Sequence, residues 1–389
     1  MNPVNPEALE PLDRELIAAL GLDLASIQVI EPMPSGLGGG RLLRLMVEHR
    51  TGMATWREWL VVKTLLPADG WLGVTSQDSR LREIQLWERG LLQSLPANIA
   101  TGVRNWALLG NPDHPTAGAL LMDDLISHLL RDPYHPPPGR LPPSMVALLE
   151  CLAELHARYW QDGRLCDPTL GLMAPRDALL LISPESVRAR LAMGDANSYL
   201  PLAEQGWEAF FRLAPPNAAE RLRAILVDPE PIARVIVTLP QALVHGDMWG
   251  PNLGWLPATK SAPRRKRQLL LLDWALALTG PATYDPLWLC GGWHALDPRR
   301  ILACYQMFLE RYLRTHGVSL SPTTWLALVD AGYLRTTLTC GEAFGRAAAE
   351  APAGHARAIA EARVHWWAER AAQATDRLLA GYPSSRVSA

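Results

Sequence analysis

The 389-residue chain is short of cysteine, of net charge and of long apolar runs, and each shortage removes a class of protein. Its five cysteines, Cys151, Cys166, Cys290, Cys304 and Cys340, lie far apart, are odd in number and include no C-x-x-C pair. That pattern argues against a disulfide framework and against a zinc site, and it fits a reducing cytoplasm. The formal charge is −2, so neither a nucleic-acid surface nor a general attraction to membranes is expected. No segment reaches the apolar length of a membrane span. Residues 1–12, rich in Pro, Asn and Glu, lack the basic start and apolar run of a secretory signal, which again points to the cytoplasm. No internal repeat is visible.

What is present is a globular composition. Hydrophobic residues make up 49% and charged ones 20%, enough to bury a substantial interior. Single cores stop growing near roughly 250–300 residues, so a chain of this length is expected to form two lobes. The first third alternates short apolar runs with loops: Ile27 to Ile30, Leu42 to Val47, Trp59 to Leu66, Arg104 to Leu109 and Ala119 to Met122. A small antiparallel sheet is the natural reading, interrupted by one helix over about 79–95 that Pro96 stops. The prolines of 131–143 forbid both helix interior and central strand, and mark a linker or loop.

From Ser144 onward the periodicity is mostly helical: Met145 to Tyr159, Ser183 to Ala192 with Ser183 as N-cap and Pro184 at the first helical position, and Ala218 to Leu226. Asn252 to Leu256 and Gln268 to Leu272 read as a hairpin. Its tip carries Arg264, Arg265, Lys266 and Arg267, a charge run best taken as solvated surface. Helices resume near Asp297 and run to about Leu379, one of them starting at Ser321 and Pro322. The expected boundary lies at residue 125, between a sheet-bearing part over 1–125 and a helical part over 126–389.

The most informative segment is Leu243-Val244-His245-Gly246-Asp247-Met248-Trp249-Gly250-Pro251-Asn252. Its Asp-x-x-x-x-Asn spacing is the catalytic-loop arrangement of protein-kinase-like enzymes, in which the Asp orients and deprotonates the attacking hydroxyl and the Asn holds a metal ion. Twenty-one residues after Asn252 comes Leu272-Asp273-Trp274, a carboxylate at the end of a buried strand. A lone strand-end Asp is more often a turn residue. Behind this loop it suits a second magnesium ligand, because phosphoryl transfer is mostly positioning and charge neutralisation.

On these residues the chain resembles the aminoglycoside phosphotransferase and choline kinase-like superfamily, whose members carry His-Gly-Asp or His-Asn-Asp, a following Asn, and then Asp-Trp or Asp-Phe. Leu152 to Trp160 looks like the family's helix before the catalytic region, and Gly280 to Leu287 like its later Gly-Pro…Asp segment. The resemblance implies an α+β, bilobed protein-kinase-like fold, with a small N-terminal antiparallel sheet lobe bearing one helix and a larger helical C-terminal lobe. It also implies that Asp247 is the catalytic Asp and that Asn252 and Asp273 bind Mg2+. Gly246 stands where choline kinases usually carry Asn, which weighs against choline itself, and Ala275 where many relatives place Glu or Gly. His245 is expected to brace the loop, His156 to sit structurally in its helix, and Asp285 to serve as a loop or helix-start residue.

The nucleotide, ATP or GTP, is expected in the first lobe. Ser35-Gly36-Leu37-Gly38-Gly39-Gly40 lies between two strands, where Gly36, Gly38 and Gly39 could let backbone amides approach phosphate, although Arg41 leaves the Gly-x-Gly-x-x-Gly form incomplete. A flexible hairpin turn is the competing reading. Lys63, ending Leu60-Val61-Val62-Lys63, would contact the phosphates, with Glu83 of the next helix holding it and Glu88 as a rival. Met122 and Asp123 resemble the family's hinge beside the adenine.

The partner is expected to be a small-molecule hydroxyl acceptor that no short motif names. Fifteen tryptophans, including Trp160, Trp207, Trp288, Trp293, Trp366 and Trp367, are best read as mostly core, with an aromatic acceptor wall as the alternative. Glu204, Glu208, Glu342 and Glu350 are candidates to meet a polycationic acceptor. The reading is therefore a small-molecule kinase. The alternative is a catalytically silent pseudokinase that binds nucleotide or metabolite as a regulator. A protein acceptor fits less well, because no Asp-Phe-Gly or Ala-Pro-Glu segment bounds an activation loop.

Overall fold

The structure, a computed structural model, describes residues 9–34, 40–51, 54–67, 70–130, 141–257, 267–292 and 296–382. The chain divides into two compact units. The first comprises Met1–Leu130, Pro168–Gly171 and Pro251–Ala275, and the second Arg131–Asp167, Leu172–Gly250 and Leu276–Ala389. Each unit is thus built from three segments of the chain.

The first unit is built on β1 (Ile27–Met33), β2 (Arg41–Thr51), β3 (Ala54–Leu65), β4 (Ile99–Ala100), β5 (Val103–Asn111) and β6 (His114–Asp123). Five of these form an antiparallel sheet in the order β1-β2-β3-β6-β5. Side chains alternate across a strand, so β3 sends Leu60 and Val62 to one face and Val61 and Lys63 to the other. The first face joins Leu45, Val47, Ala119 and Leu121 in a core that helix α1 (Pro11–Ala19) completes with Leu16 and Ile17. Two further helices, α2 (Gly70–Thr75) and α3 (Arg82–Glu88), belong to this unit.

Helix α3 is shorter than the span expected over 79–95. Leu81 before it has φ +58°, and Gly90 after it φ +75°, left-handed conformations that no helix continues through. Only the single 3-10 turn Leu92–Ser94 follows. Gly118 of β6 lets α3 approach, since a Cβ there would lie 2.2 Å from the Ile84 Cδ1. The expected hairpin is present as Leu253–Pro257 against Arg267–Leu271, with β4 added in parallel to the second strand. Arg267 is exposed, and 264–266 of the basic run lie outside the described residues.

The second unit is helical: α4 (Pro143–Arg158), α5 (Pro175–Leu180), α6 (Pro184–Ala192), α7 (Tyr199–Leu213), α8 (Pro216–Val227), α9 (Glu230–Val237), α10 (Tyr284–Gly292), α11 (Pro298–Thr315), α12 (Pro322–Glu350) and α13 (His355–Ala380). Ser183 and Ser321 cap α6 and α12 by accepting from the amides of Ser186 and Thr324. Long α12 runs through the core, and α7 crosses it where two glycines meet. A Cβ on Gly345 would lie 2.0 Å from the Gly206 carbonyl oxygen, and one on Gly341 2.5 Å from the Trp207 ring. Backbone contact this close needs residues without side chains. A two-stranded pair, Ala242–Val244 against Leu278–Gly280, is wholly internal apart from Thr279. Among the described residues no helix is long and apolar enough to cross a membrane.

Candidate functional site

The first unit gathers three of the singled-out charges. Lys63 Nζ lies 2.7 Å from Glu83 Oε2 and 2.8 Å from Asp273 Oδ1, contacts between residues 20 and 210 positions apart. Lys63 and Glu83 are nearly enclosed, with side-chain exposures of 11% and 3%, whereas Asp273 is 41% exposed. Burial alone would lower the lysine's pKa, but the two carboxylates outweigh it and hold the ammonium charged, above its ordinary range. Burial pushes Glu83 up despite Lys63 beside it. Glu88 goes elsewhere, accepting from the Trp106 indole at 2.9 Å.

Glu83 does a second job: its Oε1 accepts from the Trp274 amide at 3.2 Å, so one carboxylate ties both Lys63 and the backbone after Asp273. Asp273 itself has φ +61°, a conformation that costs an L residue roughly 1–2 kcal/mol. Its neighbours are fixed by Arg82, a residue that sequence reasoning passed over. Fully buried, Arg82 donates to the carbonyls of Gly171 at 2.6 Å, Ser76 at 2.9 Å and Ala275. A buried guanidinium can satisfy several carbonyls at once because its donors fork in a plane. The one available signal was its place next to Glu83.

Asn252 belongs to the same unit. Its carbonyl accepts from the Leu272 amide at 2.8 Å, extending the hairpin register that pairs Leu253 with Leu271. Asn252 and Asp273 thus stand at one end of one hairpin. Together they offer a carboxamide and a carboxylate oxygen. Such donors fit Mg2+, which takes only one or two protein oxygens and fills its shell with water and phosphate. No group of three or more His, Cys, Asp or Glu converges into a metal cage among the described residues. Met122 and Asp123 end β6, where Met122 pairs with Val61. The Asp123 amide donates to the Gly102 carbonyl at 2.9 Å, and its carboxylate accepts from Arg104 at 2.5 Å. Gly36, Gly38 and Gly39 lie outside the described residues.

Asp247 belongs to the second unit, in the loop that leaves the buried strand Ala242–Val244. The loop is held through its backbone. Asp285, at the start of α10, accepts from the His245 amide at 2.9 Å and the Gly246 amide at 3.0 Å. His156 Nε2 lies 3.0 Å from the same carboxylate, and its Nδ1 2.5 Å from the Tyr305 hydroxyl. Burial keeps that hydroxyl protonated, so it can donate to Nδ1 and leave Nε2–H for Asp285. Burial alone would raise the Asp285 pKa, but the donors around it, His156 first, hold the carboxyl below its usual range. His245 Nδ1 accepts from the Asp247 amide at 3.3 Å. Gly246 has φ +84°, and a Cβ there would lie 2.2 Å from the Leu276 carbonyl oxygen. An asparagine at 246 would meet that carbonyl, a physical reason for the glycine.

The four candidate acceptor carboxylates lie in different settings. Glu204 and Glu208 line a cavity of about 580 Å³ with Trp207, Phe211 and Arg223. Glu342 is buried and accepts from the Tyr199 hydroxyl, and Glu350 is exposed at the end of α12. Trp207, Trp288 and Trp367 are buried, Trp249 beside Asp247 is 44% exposed, and Trp293 lies outside the described residues.

No protein-family model and no curated protein matches the chain. Solved structures do. Choline kinase from Cryptosporidium parvum is 11% identical with a TM-score of 0.49 over 92% of both chains. Ethanolamine kinase from Plasmodium vivax is 11% identical, with a TM-score of 0.45 over 86% of this chain and 81% of its own. Macrolide 2'-phosphotransferase from Brachybacterium faecium is 18% identical, with a TM-score of 0.38 over 88% of this chain and 97% of its own. At these identities and scores no residue's role passes from them to this chain. By their names, these three are kinases or a phosphotransferase.

Proposed function

We propose that the protein is a small-molecule kinase, moving the γ-phosphate of ATP or GTP to an acceptor hydroxyl. The observation that carries this reading is the meeting of Lys63, Glu83 and Asp273 in one cluster, although the chain separates them by up to 210 residues. A buried ammonium held by two carboxylates, one of them partly exposed, is suited to gripping phosphate oxygens while the exposed carboxylate turns to a cation. The first unit is then the nucleotide-binding part, with Met122 and Asp123 beside the base, and the second unit the acceptor part.

In the reaction the acceptor oxygen bonds to the γ-phosphorus as the bond to the β–γ bridging oxygen breaks. The hydroxyl proton passes to Asp247, and the nucleoside diphosphate departs. Asn252 and Asp273 would hold Mg2+, which when bound neutralises charge on the β and γ phosphates. Lys63 orients the phosphates, and Glu83 orients Lys63. The test is magnesium-dependent release of ADP or GDP over a panel of aminoglycosides, macrolides, choline-like amines, sugars and sterols, with Asp247→Ala alongside. Release that one acceptor stimulates and Asp247→Ala abolishes supports the proposal. Nucleotide binding with no stimulation by any acceptor would instead favour a regulatory nucleotide binder.

A further inference from the structure

We infer that Arg335 is a positioning residue for the catalytic loop, an inference that rests on the kinase reading above for its consequence but not for its geometry. Arg335 lies on α12, ninety positions from the loop, and is fully buried. Its Nη2 donates to the Gly246 carbonyl at 3.0 Å. That carbonyl belongs to the peptide group joining Gly246 to Asp247, whose N–H donates to His245 Nδ1 at 3.3 Å. The plane from which the Asp247 side chain departs is therefore pinned on both of its polar atoms, by a guanidinium on one side and an imidazole on the other. Pinning both ends matters here because φ of Gly246 is +84°, a region where glycine alone would let the plane swing.

Among the described residues no carboxylate pairs with the guanidinium. It sits 5.0 Å from the centre of the Tyr284 ring and 4.6 Å from that of Trp288, both on α10. Nε and Nη1 have no hydrogen-bond partner among the described residues. Stacking against two ring faces offsets part of the cost of burying the charge and fixes the plane of the fork. An ion pair would compete for the same donors. Burial lowers the Arg335 pKa, and the charges of Asp285 and Asp247 are among those acting to raise it, so the cation and the Asp247 carboxylate stabilise each other. An aliphatic side chain of the same length would fill the space and do none of this.

The test compares Arg335→Met and Arg335→Lys with wild type by two readouts. Amide hydrogen exchange, followed by mass spectrometry on peptides spanning 244–248, needs no turnover. In a folded Arg335→Met it is expected to run at least tenfold faster there, with the α12 peptides unchanged. Arg335→Lys, which keeps a charge and a donor, is expected to restore part of the protection, and it carries the comparison alone if the Met variant does not fold. With the best acceptor of the panel above, Arg335→Met is expected to lose at least tenfold in kcat with the nucleotide KM within twofold, and Arg335→Lys to recover part of it. Exchange at the wild-type rate in a folded variant overturns the inference whatever the kinetics, as does a rise in KM with kcat unchanged. Absence of wild-type turnover on every acceptor counts against the kinase reading instead, and the exchange comparison still decides Arg335.

Discussion

The charged cluster of the first unit and the Asp247 loop of the second are ordered by different means. In the first, side chains hold one another as well as backbone: Lys63 is fixed by Glu83 and Asp273, its burial tolerated because two carboxylates answer one ammonium, while Glu83 and Arg82 also take backbone groups. In the second, side chains hold backbone: Asp285 takes two amides, Arg335 a carbonyl and His245 another amide. The first arrangement keeps its groups close to the species they would meet. The second grips the peptide groups beside Asp247, which orders the backbone from which its side chain departs.

That contrast can be broken at several points. The largest effect is expected at Asp247, where Asp247→Asn should cost about 10²- to 10⁴-fold in turnover, the usual contribution of a positioned general base. Lys63→Met should cost more in stability than any change to the loop. It leaves Glu83 buried without its cation, and breaking a buried pair costs about 3–5 kcal/mol. Denaturant titration at unchanged slope reads this directly, and a midpoint equal to wild type would show that the cluster does not hold the unit together.

Next comes the loop backbone. Gly246→Ala and Gly90→Ala both place a side chain at positive φ, but only the first drives a Cβ into a carbonyl, the space around Gly90 being open. Gly90→Ala should cost about 1 kcal/mol from conformation alone. Gly246→Ala should exceed it clearly and reduce turnover as well. Equal costs would mean that the loop yields easily.

A further effect is one of pH. Glu342, enclosed between α7 and α12, has its carboxyl pushed up by burial from the ordinary 4.5 to about 7, the Tyr199 hydrogen bond offsetting only part of this. The folded protein therefore binds this proton more tightly than the unfolded chain, and its stability falls as pH rises from about 4.5 to about 7, then levels. Glu342→Gln should remove that slope, matching wild type near pH 4.5 and exceeding it by up to about 3 kcal/mol at pH 8. Thermal melts across the range give the sign. A wild type that gains stability over this interval, with no change of slope in the variant, would contradict it.

The two regions also differed in how far their residues could be read. Lys63, Glu83 and Asp273 stand out because chemistry is done by their side-chain identities at known spacings, and they meet in the structure. The clamp was opaque. Asp285 read as a loop or helix-start residue, and Arg335 and Arg82 were not noticed, because a residue that grips a backbone leaves no mark on the residue it grips. The sheet strands were legible from alternation, to within a few residues at their ends. Helix α1 was missed although Pro11 sits at its start and its buried Asp13, Leu16 and Ile17 fall at i, i+3 and i+4. Helix α7 was missed because Pro201 and Gly206 look like breakers. Pro201 falls in the first turn, where no amide partner is lost, and at Gly206 a Cβ would meet the Glu342 carbonyl of α12.

The account divides labour between nucleotide and metal on the one side and acceptor on the other, and titration calorimetry of nucleotide with and without Mg2+ tests that division most directly. Asp247→Ala is expected to bind the nucleotide as wild type does, with the same gain from magnesium, while Asp273→Ala loses that gain. A full magnesium dependence retained in Asp273→Ala, or lost in Asp247→Ala, would contradict the assignment of the two carboxylates.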